Sequence, residues 1–294
     1  NLFGTSAKYI DAVRKSGYEP NKHNQLKFLK CLCSTGSPLS PESFDFINKF
    51  ISSEMQIGSI SGGTDILSCF VLNNPLDEVI SGEIQCRGLG MAVDVFDEEG
   101  NSVTDTPGEL VCTKPFPSMP VMFWNDPDGK KYQEAYFDYY PNVWRHGDWT
   151  KLTKRGTLVI FGRSDATLNP GGVRIGTAEI YKVVESFEEI LESIVIGQEW
   201  EDDIRIVLFV KLIEKNSLNE KLKTEIKNKL RQLVSPRHVP AKIISVADIP
   251  RTRSGKITEL AVRDVIHGKK IKNIEALSNP EALDLFKDLS ELNN

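Results

Sequence analysis

The segment Gly162-Arg163-Ser164-Asp165-Ala166-Thr167-Leu168-Asn169-Pro170-Gly171-Gly172-Val173-Arg174 separates two parts of the sequence that have different residue patterns. Before it, from Ile57 to about Phe161, short β-type segments are interrupted by Gly and Pro. After it, helical apolar stripes alternate with apolar strands. The segment itself carries two arginines on either side of a glycine pair, which favours either anion contacts next to a hinge or a surface hairpin with solvated charges. We therefore place a domain boundary at Asp165, with one region at 1–164 and another at 165–294.

The first 55 residues are predicted to form helices and connecting segments. The expected helix starts are Thr5 or Ser6 and, further on, Ser40-Pro41, because a Ser or Thr side chain caps free N–H groups and Pro is tolerated at the first helical position. The apolar run Phe28–Cys33 is predicted to be a strand. It leads into the turn-rich stretch Ser34-Thr35-Gly36-Ser37-Pro38, which precedes the second of these helices.

Short β segments between Ile57 and Phe161, such as Gly108–Cys112, predict an antiparallel, barrel-like subdomain. The region after the boundary has the pattern of a separate α+β module. Its helices are predicted at 180–187, 222–233 and 260–265, and its strands at 194–196, 204–213 and 243–246. The overall expectation is an α/β fold with an α+β lid.

Composition argues against several classes of function. The chain has 294 residues and a net charge of -5, which argues against nucleic acid as its main partner. No apolar run reaches the roughly 18 residues that a membrane span needs. The five cysteines show no CxxC spacing, which favours reduced thiols in the cytosol over a disulfide framework. The four histidines are scattered and do not have the spacing of a zinc site.

Three further segments carry residues that suit nucleotide handling. Ser59-Ile60-Ser61-Gly62-Gly63-Thr64-Asp65 offers backbone N–H groups, a hydroxyl and a carboxylate for phosphate and Mg²⁺, although a plain turn between strands would look the same. Trp144-Arg145-His146-Gly147-Asp148-Trp149 places a carboxylate in a predicted glycine turn, where it could bind ribose hydroxyls or simply form an Asx turn. Pro250-Arg251-Thr252-Arg253-Ser254-Gly255-Lys256-Ile257 lacks the spacing of a phosphate-binding loop, but it presents Lys256 after a flexible Ser-Gly. The alternative there is a solvated basic loop.

Taken in order, these segments resemble the later core motifs of adenylate-forming enzymes, the family of acyl-CoA synthetases, luciferases and peptide-synthetase adenylation domains. The resemblance covers nearly the whole chain and is closest at Gly162–Ile180 and Pro250–Ile257. It implies that the chain is the C-terminal part of such an enzyme. The region 1–164 would then end the large adenylation domain, and the region 165–294 would be the small C-terminal lid domain.

The resemblance also implies a role for each matching residue in the nucleotide-binding part of the site. Thr64 would contact the α-phosphate of ATP, and Asp65 would hold Mg²⁺ in place of the family's more usual Glu. Asp148 would bind the ribose hydroxyls, with Arg163 nearby. The adenine pocket would be lined by Gly36, Ser37 and Pro38.

The remaining implied roles concern the lid and the second substrate, CoA. Asp165 would be the hinge, and Lys256 would be the catalytic lysine of acyl-adenylate formation. Gly172 would border the pantetheine tunnel. Arg174 would meet phosphate, and Arg231 would meet the CoA nucleotide. Together with Thr64 and Asp65, Lys256 makes up the implied catalytic set.

Two departures from the family pattern bear on the substrate. Ser61 stands where many relatives have an aromatic residue that stacks on adenine, so other contacts would have to hold the base. Gly62 stands where acetate-specific enzymes have a bulky Trp, which implies room in the acyl pocket for a longer acid such as acetoacetate. The implied reaction joins acetoacetate to CoA with ATP. Another short or medium-chain acid, or a truncated non-catalytic relative, remains an alternative.

The sequence begins at Asn1 without an initiator Met or a leader peptide, and the resemblance places the family's phosphate loop upstream of that residue. We therefore expect a piece of a longer chain that is inactive by itself. On this expectation, apolar faces that include Phe44, Phe50 and Phe70 would lack the partner surface that normally covers them.

Overall fold

The computed structural model describes residues 1–214, 216–253, 255–271 and 274–294. It divides into two units, Asn1–Phe161 and Gly162–Asn294. Within the described residues, no helix has the length and apolar character required to cross a membrane.

A parallel three-stranded sheet opens the first unit, with its strands in the order β1-β2-β3. Ser6 caps the first helix by accepting a hydrogen bond from the backbone N–H of Tyr9, and Ser40 caps the third by accepting from Ser43. Both predicted helix starts are therefore confirmed, and of the two candidates for the first cap it is Ser6 that fills the position. The strand predicted at 28–33 begins and ends later in the structure. The elements are β1 (Leu2–Ser6), α1 (Ala7–Lys15), α2 (Pro20–His23), β2 (Cys31–Thr35), α3 (Pro41–Phe50) and β3 (Gln56–Ser59).

The apolar faces of α1 and α3 close over this sheet. Ile10, Leu32 and Ile47 are almost completely buried there. Phe44 is also buried, at 2% exposure, and Phe70 is buried at 1% in the following sheet region. The expectation that these two side chains would be uncovered is wrong, because elements within this unit supply their packing partners. Burying such a side chain stabilises a fold by about 1.5–3 kcal/mol.

The rest of the first unit consists of two antiparallel sheets and one short helix. The first sheet has the order β4-β5-β6, and the second has the order β10-β9-β8-β7. A single bridge between Ile84 and Leu158 joins segments of the two regions. The antiparallel strands are as predicted, but the described strands lie in two separate sheets, and closure into a barrel is not observed. The elements are β4 (Ser61–Gly63), β5 (Ser68–Leu72), β6 (Cys86–Arg87), β7 (Val93–Phe96), β8 (Pro107–Cys112), α4 (Lys130–Tyr136), β9 (Trp144–Leu152) and β10 (Leu158–Arg163).

The second unit is built on a three-stranded sheet of order β11-β12-β13, in which β11 and β12 are antiparallel and β12 and β13 are parallel. Its helices lie close to the predicted positions. The elements are α5 (Thr177–Val184), β11 (Ile190–Trp200), β12 (Asp203–Leu212), α6 (Glu220–Leu233), β13 (Lys242–Ser245) and α7 (Glu259–Ile266).

Alternation along β12 explains why this sheet has two apolar faces. Ile206, Leu208 and Val210 join the core formed with α5 and α6. Val207 and Phe209 point to the opposite core, which contains Val262 of α7 and the C-terminal segment. Because side chains in a strand point alternately to the two faces, a continuous apolar run predicts a strand covered on both sides. The sheet is thus a buried layer that leaves its connecting turns at the surface.

Candidate active site

Two of the predicted nucleotide segments leave the first parallel sheet at the same edge. Ser34 near the end of β2 is paired with Ser59 at the end of β3, and the N–H of Ile60 donates to the carbonyl of Ser34 over 2.9 Å. Gly36-Ser37-Pro38 follows β2, and Ser61–Asp65 follows β3. The carboxyl ends of parallel strands are the usual place for ligand sites in α/β sheets. The fold therefore places the predicted adenine and phosphate segments next to each other.

The predicted phosphate segment is more regular than a plain turn. Ser61–Gly63 forms β4 and pairs with β5, with a register shift at Ser61/Gly62. A Cβ atom at Gly62 would lie 2.0 Å from the carbonyl oxygen of Ser68. This position therefore has a packing requirement for glycine that is independent of any acyl pocket. The predicted phosphate residue, Thr64, and the predicted metal residue, Asp65, lie in the exposed turn that follows β4.

Asp148 lies in strand β9, so the turn predicted around it is wrong, whereas its implied role with the ribose hydroxyls stays a prediction. In the pairing of β9 with β8, Trp149 is opposite Glu109 and Arg145 is opposite Val111, so β9 bulges at residues 146–148. Gly147 takes a left-handed φ of 84° there. A bulge re-aims side chains that would otherwise follow the strand alternation. The turn was predicted because of Gly147, and in the structure this glycine forms part of the bulge instead.

The carboxylate of Asp148 is buried and has polar neighbours. Ser61 Oγ donates to Asp148 Oδ2 over 3.2 Å, and His146 Nε2 lies 3.8 Å from the same oxygen. The structure thus brings the Ser61–Asp65 segment and Asp148 together. Ser61 has a polar contact in place of the aromatic stacking of many relatives. His146 was not predicted as a site residue, because nothing in its spacing distinguishes it from the other histidines.

Asp65 has an aromatic hydrogen-bond partner that the sequence did not reveal. Tyr136, the last residue of α4, donates its hydroxyl to Asp65 Oδ2. Asp65 and Thr64 present hard oxygen donors, which is the ligand chemistry that Mg²⁺ prefers. Across the described ranges, no cluster of three or more His, Cys, Asp or Glu residues could hold a metal ion. Since Mg²⁺ in nucleotide enzymes is commonly held by one or two carboxylates together with substrate phosphates, this turn fits such a role.

The predicted hinge residue of the second unit has two arginine contacts. Arg163 Nε lies 3.4 Å from Asp165 Oδ1, and both side chains are about half exposed. Arg263 Nη1 donates to the carbonyl oxygen of Asp165 over 3.4 Å. Exposed ion pairs of this kind contribute little to stability, roughly 0–1 kcal/mol. The ion pair of Asp165 is therefore weak, although Ser164 and Ala166 on either side of it are buried.

The tip of the Gly171-Gly172 loop is open and contacts the Asp203 carboxylate, while a bridge between Leu168 and Ile175 closes the base of the loop. Both residues have left-handed φ angles, 57° and 75°, and no atom lies within 4 Å of a Cβ built at either position. The N–H of Gly171 donates to both oxygens of Asp203, at 3.0 and 3.1 Å. Backbone N–H groups of Ile204 and Gly171 lower the pKa of Asp203 below its ordinary value. Arg174, two residues further on, is partly exposed.

Lys256 lies in a tight turn at the surface of the same unit. The N–H of Thr252 donates to the Lys256 carbonyl over 2.8 Å, and the Lys256 N–H donates to Thr252 Oγ1 over 3.1 Å. Arg251 anchors the start of the turn through Glu192 of β11, with Nη2 and Oε2 2.6 Å apart. Ser254 lies outside the described residues. The ammonium group is thus carried by a turn whose backbone is hydrogen-bonded on both sides.

Arg231 is on a different element, the last turn of α6, where its guanidinium donates to Asn228 over 3.4 Å. In the described part of this unit, no hydrogen bond joins Lys256, Gly172 and Arg231 to one another. The predicted lid residues are therefore carried by three separate surface elements.

A partly buried carboxylate directly after the lysine turn was also missed. Glu259 accepts from the Tyr181 hydroxyl over 3.0 Å and from Thr177 Oγ1 over 3.4 Å. Burial raises the pKa of Glu259, although these hydrogen bonds act in the opposite direction. Tyr181 also accepts from the N–H of Val195, so the start of α7 is tied to both α5 and β11. This network fixes the helix that follows Lys256.

Comparison with known proteins places these features in a family. Residues 179–256 match the family described as AMP-binding enzyme C-terminal domain. The acetoacetyl-coenzyme A synthetase of Rhizobium meliloti is 65% identical over 99% of this chain, and the acetoacetyl-CoA synthetase of Xenopus tropicalis is 47% identical over 100% of it. Along nearly its whole length the chain is thus homologous to the C-terminal part of acetoacetyl-CoA synthetases. The predicted family resemblance is confirmed.

The homologous region is less than half of those relatives. The chain spans 45% of the Rhizobium protein and 44% of the Xenopus protein. The structure of acetoacetyl-CoA synthetase from Streptomyces lividans superimposes with a TM-score of 0.91 at 43% identity, over 100% of this chain and 45% of that one. A benzoate CoA ligase from Burkholderia xenovorans shares the fold, with a TM-score of 0.73 over 89% of this chain. The mixed α/β fold thus corresponds to the C-terminal half of adenylate-forming ligases.

Proposed function

We propose that the full-length protein is an acid–thiol ligase that activates acetoacetate with ATP and transfers the acetoacetyl group to CoA. The observation that carries this proposal is the 65% identity to an acetoacetyl-coenzyme A synthetase along nearly the whole chain. The substrates would be acetoacetate, ATP and CoA, with Mg²⁺ as the metal ion. The reduced thiols that the composition predicts favour a cytosolic location.

The first unit would bind the nucleotide. Gly36, Ser37 and Pro38 would line the adenine, and Asp148 would accept hydrogen bonds from the ribose hydroxyls. Ser61 supports this role, because its bond to one oxygen of Asp148 holds the carboxylate in place. Thr64 would contact the α-phosphate, and Asp65 would hold Mg²⁺, which neutralises phosphate charge when it is bound.

The second unit would act as a lid with two functions. Lys256 would stabilise the charge that develops when the acid attacks the α-phosphate, and a preorganised ammonium can do this without transferring a proton. Gly172 would then border the path of the CoA thiol, with Arg174 and Arg231 meeting phosphate groups. Asp165 would be the hinge, with Arg163 beside it. Two reactions at one site require two lid positions, and a hinge at this residue would permit both.

The finer assignment of domains belongs to the same proposal. Residues 1–164 would complete the large adenylation domain, and residues 165–294 would form the lid. The antiparallel strands between β4 and β10 would make up the barrel-like subdomain of that large domain. The proximity of the Ile84–Leu158 bridge to both strand groups supports this assignment.

A panel of acids tests the function in the full-length protein. We expect acid-dependent pyrophosphate–ATP exchange and thioester formation to be fastest with acetoacetate, with a kcat/KM at least about tenfold above that for acetate. A single methylene in a fitted pocket gives discrimination on the order of 10–200-fold, and acetoacetate has three more heavy atoms than acetate. A preference for butyrate or another short acid would support the alternative ligase. No exchange with any acid would contradict enzymatic activity and support a non-catalytic relative.

A further inference from the structure

Asp65, the proposed Mg²⁺ ligand, has a hydrogen-bond partner from a distant part of the same unit. Asp65 lies between β4 and β5 in an exposed turn, and Leu67 in that turn has a left-handed φ of 48°. Tyr136, 71 residues further along the chain, donates its hydroxyl to Asp65 Oδ2. The carboxylate therefore has a fixed hydrogen-bond donor in addition to its solvent-exposed surroundings.

The ring of Tyr136 lies on a rigid aromatic platform. It stacks on Trp144 with the ring centroids 3.6 Å apart and the planes 14° from parallel. Trp144 is 2% exposed and packs edge-to-face with Phe116, 5.3 Å between centroids. A stacked ring of this kind has few alternative rotamers, because its neighbours occupy the space into which it could turn. The hydroxyl position is thus set by the buried core and not by the exposed turn.

We propose that Tyr136 is a positioning residue that orients the Asp65 carboxylate for Mg²⁺ bound with the triphosphate, an inference that rests on the proposed function. A donor to Oδ2 leaves Oδ1 available to a metal ion. Hydrogen bonds from a second layer of residues typically orient ligating carboxylates and tune metal affinity. A neutral phenol suits this task, because it fixes the carboxylate without neutralising the charge that attracts the cation. A lysine in the same place would compete with the metal.

Tyr136→Phe in the full-length protein removes the hydroxyl and keeps the stacked ring. We expect the Mg²⁺ concentration for half-maximal pyrophosphate–ATP exchange to rise about tenfold, the lower end of the usual effect of losing such a donor. The rate at saturating Mg²⁺ and the KM for the acid should stay unchanged. A second readout does not depend on turnover. Titration of Mn²⁺, followed by electron paramagnetic resonance with α,β-methylene-ATP present, should show the same loss of affinity.

Tyr132→Phe is the matched control. Tyr132 belongs to the same aromatic cluster, 5.7 Å from Tyr136 between ring centroids, but its hydroxyl donates to the carbonyl of Pro120. This variant loses an equivalent hydroxyl from the same region without touching Asp65. Its Mn²⁺ affinity should stay within about twofold of the wild type, and its thermal midpoint reports the cost of losing a hydroxyl from the cluster.

The Asp65→Asn variant distinguishes the metal-binding role of Asp65 from the positioning role of Tyr136. If Asp65→Asn weakens Mn²⁺ binding and Tyr136→Phe has no further effect in that background, Tyr136 acts through the carboxylate. If Asp65→Asn weakens binding but Tyr136→Phe alone leaves it unchanged, the positioning role is wrong while the metal assignment stands. If Asp65→Asn itself leaves Mn²⁺ binding unchanged, the metal assignment in the proposed function fails. Should Tyr136→Phe fail to fold, Tyr136→Leu fills part of the ring's space without any hydrogen-bond donor and gives the same comparison.

Discussion

The family resemblance implies that Gly62 and Gly172 both lie beside a ligand. The structure places these two glycines in different environments. In the first unit, Gly62 lies inside a pair of strands, where any side chain would overlap the backbone of β5. In the second unit, Gly171 and Gly172 lie in an open loop that the Asp203 carboxylate holds. The first glycine is required by packing, and the second pair is required by backbone conformation. Glycine in a sequence motif therefore does not by itself show that a ligand approaches closely.

The open elements of the second unit should contribute to the reaction and little to stability, and Lys256→Ala is the strongest test of this contrast. Lys256 is exposed in its turn, so its loss should leave the thermal midpoint of the full-length protein within about 1–2 °C. Acid-dependent pyrophosphate–ATP exchange should fall by about 10²–10³, the usual cost of one preorganised charge. Thioester formation from supplied acyl-adenylate should be largely spared.

Arg253→Ala controls for the loss of a positive charge from the same turn. Arg253 is exposed, and its backbone N–H donates to the carbonyl of Ala276 over 3.1 Å, a bond that the substitution leaves in place. Exchange in this variant should stay within a few-fold of the wild type. Unchanged exchange in Lys256→Ala would overturn the assignment of the lysine. A large loss of stability in that variant would contradict the contrast between the two units.

Substitution of Gly62, which lies in β4 and packs against β5 in the first unit, should in contrast lower the stability of the protein strongly. Gly62→Ala places a methyl group on the carbonyl of Ser68, so β4 and β5 must separate locally. Overpacking of this kind typically costs about 1–3 kcal/mol, and displacement of backbone puts this site at the upper end. Urea unfolding of the full-length protein measures it.

Gly4→Ala is the control for that measurement. Gly4 lies in β1, and no atom lies within 4 Å of a Cβ built there. Its substitution should change the free energy of unfolding by no more than about 0.5 kcal/mol. If Gly62→Ala costs no more than Gly4→Ala, the packing explanation for Gly62 is wrong, and an open acyl pocket becomes the better explanation for this glycine.

Local signals explain which parts of the fold were predictable. The start of α3 was evident from Ser40-Pro41, because capping depends on residues within one turn of the helix. Strand β12 was evident from the apolar run itself, because a strand buried on both faces has few polar positions. These elements and the family resemblance needed no information about distant contacts. The same is true of the α+β pattern that follows Gly162.

Contacts between distant residues explain what could not be predicted. Asp148 was assigned to a turn because of Gly147, and its place in a bulge depends on pairing with β8, almost forty residues earlier. The contact between Tyr136 and Asp65 joins the end of a short helix to a turn of another sheet. No spacing rule connects such positions. The chemistry of the proposed site could be predicted residue by residue, whereas the side chains that hold those residues required the three-dimensional structure.

The smallest expected effect on the reaction concerns Asp203, which accepts the hydrogen bond from Gly171 in the open loop of the second unit. Asp203→Ala frees the N–H of Gly171, so the loop that carries Gly172 should sample more conformations. We expect the KM for CoA in thioester formation to rise a few-fold, while pyrophosphate–ATP exchange is unchanged. Asp203→Asn retains an acceptor oxygen and should recover part of the loss.

The pH dependence of the hydrogen bond between Gly171 and Asp203 provides a test that does not require turnover. Because N–H donors lower the pKa of Asp203, its charged form is favoured in the folded state, and its contribution is complete above its ordinary value of 3.8. That contribution should disappear as the pH falls below this value. The difference between wild type and Asp203→Ala in hydrogen exchange at Gly171 should therefore be present at pH 6 and vanish in acid. Equal exchange in both proteins at pH 6 would show that the carboxylate does not hold the loop.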